Sequence, residues 1–81
     1  MKVATRQKQN FIGLYEAELI VRVIAIKAPS GRWRLFGLHR NGEAAIYVEK
    51  ARGGIREWTS LDFLADFCHA AEIPLWEVHN K

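Results

Sequence analysis

Asn41-Gly42 stands between two runs of β-formers, residues 32–40 and 43–50. It is the strongest short hairpin signal in the chain and favours a two-residue type I′ loop. A second turn signal precedes it. In Ala28-Pro29-Ser30-Gly31, proline presets φ and glycine tolerates positive φ. The β-branched residues Ile20, Val21, Val23, Ile24 and Ile26 make residues 15–27 the strand before that turn. Ala51-Arg52-Gly53-Gly54 turns the chain again, and residues 55–58 read as a short fourth strand. Two tight turns and a third looser one thus commit the first two thirds of the sequence to an antiparallel meander. A short helical turn over residues 11–18 is the competing local reading, and Gly13 argues against it.

The spacing changes after Trp58. Thr59 or Ser60 can cap a helix, Asp62 suits its N-terminal dipole, and Leu61, Leu64, Ala65, Cys68 and Ala71 recur at helical intervals. The helix must stop before Pro74. Leu75-Trp76-Glu77-Val78-His79 alternates and reads as a last strand. The expected fold class is therefore α+β: an antiparallel four-stranded meander, one helix and a short last strand, in the order ββββαβ. Residues 1–10 carry Lys2, Arg6 and Lys8 with no acid and read as a flexible basic arm, with residues 11–81 as a single domain.

Turn lengths fix registers, and registers fix faces. A two-residue loop at Asn41-Gly42 pairs Leu38 with Ala45, Phe36 with Tyr47 and Arg34 with Glu49. A four-residue loop at 28–31 pairs Lys27 with Arg32, Val23 with Phe36 and Val21 with Leu38. One face then carries Leu19, Val21, Val23, Ala25, Phe36, Leu38, Ala45 and Tyr47. The other carries Ile20, Ile24, Ile26, Trp33, Leu35, Ile46 and Val48. Both are apolar, and one helix covers only one face, so a second copy of the chain is the expected cover and the protein is expected to be a homo-oligomer.

Charge separates along the chain. Residues 22–56 hold eight bases against Glu43 and Glu49, whereas residues 57–80 hold five acids and no Lys or Arg, within a total of +3 over 81 residues. In an up-down meander the 28–31 and 51–54 turns share one end, which collects Lys27, Arg32, Trp33, Arg34, Lys50, Arg52 and Arg56. Arginine matches phosphate bidentately and neighbouring aromatics can stack bases, so these seven residues are the candidate nucleic-acid site. The plainer alternative is that Arg34 and Arg56 flank Glu49 in a cross-strand ion row.

Enzyme chemistry has little to stand on. Cys68 and His69 are adjacent on the expected helix and point in different directions. No CxxC, HxxxH or HExxH spacing occurs, and Gly53-Gly54 lacks the Gly-Lys-Ser/Thr of a phosphate-binding loop. No catalytic residue, metal or cofactor is expected. The single cysteine excludes an intrachain disulfide, no apolar run approaches the ~20 residues of a membrane span, and residues 1–10 lack a signal-peptide core. A reducing, cytoplasmic setting follows.

Two resemblances extend this reading. The four-strand meander with its following helix resembles the transcriptional-coactivator and whirly type of single-stranded-DNA-binding fold, which implies a sheet that binds the strand and helices that help dimerise. The strand at 75–79 departs from that pattern. The run Gly54-Ile55-Arg56-Glu57-Trp58-Thr59-Ser60-Leu61-Asp62, with Leu64-Ala65-Asp66-Phe67, Ile73 and Glu77-Val78, is similar to the C-terminal halves of small accessory proteins of bacterial plasmids and other mobile elements. That likeness implies a bacterial mobile-element origin. The reading as a whole is a non-enzymatic, oligomeric nucleic-acid-binding protein, with an adaptor module that docks through an apolar sheet face as its alternative.

Overall fold

A computed structural model describes residues 1–80. The elements run β1 (Lys2–Gln7), α1 (Lys8–Glu16), β2 (Ile20–Lys27), β3 (Trp33–His39), β4 (Ala44–Glu49), α2 (Leu61–Ala70) and β5 (Glu77–His79). The class is α+β, but the sheet is mixed and five-stranded, ordered β1-β4-β3-β2-β5. β2, β3 and β4 form the expected antiparallel meander, and β1 and β5 join its two edges parallel to β4 and β2.

Four expectations are corrected. Residues 1–10 are not an arm: Lys2–Gln7 hydrogen-bonds along β4, and Lys8 begins α1. Residues 15–19 are not strand, because α1 runs to Glu16 and Phe11 is fully buried in the core. Gly13 is tolerated there because that tertiary burial outweighs its propensity cost of about 1 kcal/mol. Residues 55–58 form only isolated bridges, Glu49 with Ile55 and Trp33 with Trp58, instead of a fourth strand of a meander. The last strand spans three residues, Glu77–His79.

The two turns fared differently. Phe36 pairs with Tyr47 and Leu38 with Ala45, as the Asn41-Gly42 signal requires. The turn is not type I′, however, since Gly42 has φ +76° and Asn41 is not in the left-handed region. The Asn41 side chain instead accepts from the Glu43 N–H at 2.9 Å. The β2–β3 loop is one residue longer than expected. Gly31, at φ +87°, closes a turn onto the Ala28 carbonyl, and Arg32 is needed to bring the chain back so that its carbonyl accepts from the Ala28 N–H. Lys27 consequently pairs with Trp33 and Ile24 with Phe36. That one-residue slip exchanges the two sets of β2 side chains.

The true core face therefore carries Val23, Ala25, Leu35, Gly37, Ile46 and Val48, and Phe11 of α1 and Leu64, Phe67 and Cys68 of α2 pack on it. An irregularity between Ile20 and Arg22 leaves Val21 59% exposed and turns Ile20 back into the core. Ile20 lies over Gly37, where an added Cβ would sit 2.5 Å from its Cγ2. The opposite face carries Val3, Thr5, Arg22, Ile24, Ile26, Arg34, Phe36, Leu38, Ala45, Tyr47, Glu49, Glu77 and His79. Both helices lie on the first face, so no element among the described residues packs on the second. Nor is any helix there long and apolar enough to cross a membrane.

Each helix ends the same way. Glu18 (φ +62°) and Glu72 (φ +59°) occupy the left-handed position after the C-cap. The next N–H reaches back, Leu19 to the Leu14 carbonyl and Ile73 to the Cys68 carbonyl, both at 2.9 Å. Glycine is the usual residue there, since a left-handed non-glycine costs roughly 1–2 kcal/mol. Glu72→Gly is expected to raise unfolding free energy by about 1 kcal/mol in urea melts. Gly37→Ala is expected to lower it by about 1–3 kcal/mol, because buried, β-branched Ile20 has little room to give way.

Candidate functional site

β2 and β4 end, and β3 begins, at the same end of the sheet, so the 28–32 and 50–54 loops lie together there. Residues 55–58 lace this end shut. Trp33 and Trp58 exchange two backbone hydrogen bonds of 2.8 Å, and the Arg56 N–H donates to the Val48 carbonyl at 2.8 Å. The 50–54 turn requires its glycines: Gly53 and Gly54 have φ of +89° and +84°, and a Cβ on Gly54 would crowd the Lys50 side chain at 3.2 Å.

Arg32, Arg34, Lys50 and Arg56 line a single groove of about 550 Å³ together with Ile55 and Glu57. Arg52 is exposed on the adjoining turn. Lys27 is exposed, with its ammonium 5.6 Å from the centre of the Trp33 ring. Trp33 itself is half-buried against the core and offers only part of its surface. The Arg56 guanidinium stacks over Trp58 at 4.7 Å and Phe67 at 5.4 Å, which fixes its position without neutralising it.

The anticipated ion row with Glu49 does not form. Arg34 Nε donates to Glu57 Oε2 at 2.8 Å, and Ser30 Oγ donates to Glu57 Oε1 at 2.9 Å. Arg34 first, and then Ser30, hold the Glu57 carboxyl below its ordinary pKa. Glu49 instead accepts from Thr5 Oγ1 at 2.8 Å, which ties β4 to β1. Arg34 is thus committed to an internal partner, whereas Arg32, Lys50, Arg52 and Arg56 make no ion pair among the described residues.

Lys8, expected in a flexible arm, lies beside this site. Its ammonium lies 5.9 Å from the Phe67 ring. Two further grooves, of about 530 and 450 Å³, are each lined by Lys8 and Arg56, the first with Gln9 and Glu49 and the second with Phe63 and Phe67. Arg56 therefore borders three concavities at once. Its placement follows from the fold-back at 55–58, which local spacing alone does not reveal.

The second sheet face carries the Phe36–Tyr47 pair that the β3–β4 register places there, and an ion cluster at the β5 edge that local spacing does not reveal. Phe36 and Tyr47 sit side by side, with ring centres 5.1 Å apart and a 39° tilt. At the β5 edge Arg22 grips Glu77 with two bonds, Nε to Oε2 at 2.7 Å and Nη2 to Oε1 at 2.5 Å, and His79 Nε2 lies 3.0 Å from the same carboxylate. The Arg22 bonds, with a smaller contribution from His79, bring the Glu77 pKa down to about 2.

Cys68 is fully buried, and burial pushes its thiol up to about 11. Among the described residues no three His, Cys, Asp or Glu side chains cluster as a metal site would need. No protein-family model, curated protein or solved structure matches the chain.

The depressed Glu77 pKa gives a signed pH effect. The stabilisation from this carboxylate is present above its ordinary value of 4.5 and is lost as pH falls towards about 2. Carboxyl-resonance titration of Glu77 should give a midpoint near 2, and Arg22→Ala should move that midpoint up towards 4.5.

Proposed function

We propose that the protein binds nucleic acid, with the phosphates seated in the groove at the basic end of the sheet. The observation that carries this is convergence: cations from the start of β3, the 50–54 turn and the 55–58 fold-back line one concavity. Four of the cations at this end, Arg32, Lys50, Arg52 and Arg56, make no ion pair among the described residues. Mutual repulsion of such a cluster is screened only beyond roughly 8–10 Å at physiological salt, and a polyanion relieves it. Arg34 is held by Glu57 and frames the site. The second reading, a protein-docking module, draws on the uncovered apolar sheet face.

Salt separates the two. If four phosphates are neutralised, raising salt from 50 to 200 mM weakens binding about 50-fold for a single strand and roughly 150-fold for a duplex. Combining Arg32→Ala with Arg52→Ala removes two of the contacts. The same salt step should then cost only about sevenfold or twelvefold, with the circular dichroism spectrum unchanged. Fluorescence anisotropy of labelled oligonucleotides measures this. Affinity and salt slope equal to wild type in the double variant would refute the groove as the phosphate site.

A further inference from the structure

Phe36 and Tyr47 are the largest apolar side chains on the uncovered sheet face, and both stay partly exposed there. Around them the face is close to neutral. Arg22 is cancelled by Glu77, and Arg34 by Glu57. Glu49 accepts from Thr5 and keeps its negative charge, the one carboxylate on the face without an ion pair among the described residues. The groove of the uncommitted Arg32, Lys50 and Arg56 begins only at the sheet end, beside the ion-paired Arg34, which lies two residues from Phe36 along β3, about 7 Å away. A surface divided in this way matches the chemistry of a single strand of nucleic acid. Its phosphates suit the cationic groove, and its unpaired bases suit the adjoining neutral, aromatic surface.

We infer that the ligand is single-stranded and that its bases stack on the Phe36–Tyr47 pair while its backbone enters the Arg32–Lys50–Arg56 groove. This rests on the groove being the phosphate site. A duplex cannot use the aromatic pair, since its base faces are already stacked on one another. A second copy of the chain fits less well. The face carries Arg22, Glu49 and Glu77, and burying these charges against a second copy would cost desolvation.

The test uses the full chain with fluorescein-labelled dT12, and with dT12 annealed to dA12, at 50 mM salt. The wild type should prefer the single strand. Phe36→Leu and Tyr47→Leu keep apolar bulk and remove the ring, and each should weaken dT12 binding about five- to 150-fold while leaving the salt slope unchanged. Tyr47→Phe should bind as wild type. Should a leucine variant fail to fold, the wild-type ring resonances of Phe36 and Tyr47 decide, because stacked bases must shift them. Leucine variants that bind dT12 normally, beside an Arg32→Ala/Arg52→Ala variant that does not, would overturn the stacking surface and leave the groove standing. Wild-type protein that binds neither oligonucleotide would remove both. Sedimentation showing a dimer that Tyr47→Leu dissolves would assign the face to a second copy and overturn the inference.

Discussion

Parallel strands cannot be joined by a tight turn, and the architecture follows from the two places where this chain pairs them. β1 must cross β4 and β3 to reach β2, and β4 must cross β3 and β2 to reach β5. α1 and α2 make those crossings. Both run in the same direction between strands of the same sense. Connections of one hand then place both helices on one side of the sheet. Phe11, Leu64, Phe67 and Cys68 meet there, over Val23, Leu35, Ile46 and Val48. The bare opposite face is the other half of the same constraint, because no helix is left to cover it.

The basic end depends on this arrangement as much as the core does. The fold-back at 55–58 carries Arg56 across the strand ends, and Trp58, Phe67 and the Val48 carbonyl hold it. The α2 N-cap follows directly, with Ser60 Oγ accepting from the Phe63 N–H at 3.2 Å. One short segment thus closes the sheet end, orients a cation and starts a helix. Buried aromatic rings, not carboxylates, fix Arg56, so its charge remains available to a ligand.

Much of this was legible in the residues, and the failures are instructive. Turn chemistry gave the β3–β4 register correctly and put the 28–31 and 51–54 turns at one end. α2 was legible from its capping residue and its apolar spacing. β1 was not, because residues 2–7 read as a polar segment, and a parallel partner about forty residues away leaves no local mark. α1 was hidden by Gly13, by a first turn without an acid, and by a left-handed Glu18 where a glycine would have marked the stop. The β2–β3 register lies one residue beyond what a bare four-residue turn gives. A positive φ at Gly31 needs one more residue to restore the ladder. The slip left the Phe36–Tyr47 pairing intact and changed only which β2 residues share its face, Arg22, Ile24 and Ile26 in place of Val21, Val23 and Ala25. The candidate cations were identifiable individually, but their partners were not: Arg34 chose Glu57 over Glu49, through a fold-back that spacing does not encode.

The pairing of β1 with β4 has a consequence for how the chain is made. β1 leaves the ribosome before β2, β3 and β4, and its partner follows only after α1 and the β2–β3 hairpin have emerged. Until then, and afterwards on its outer side, this strand presents unpaired backbone groups that could recruit the same strand of another nascent chain. Lys2 and Arg6 stand near its two ends, exposed. Like charge on both molecules opposes such strand-to-strand adhesion.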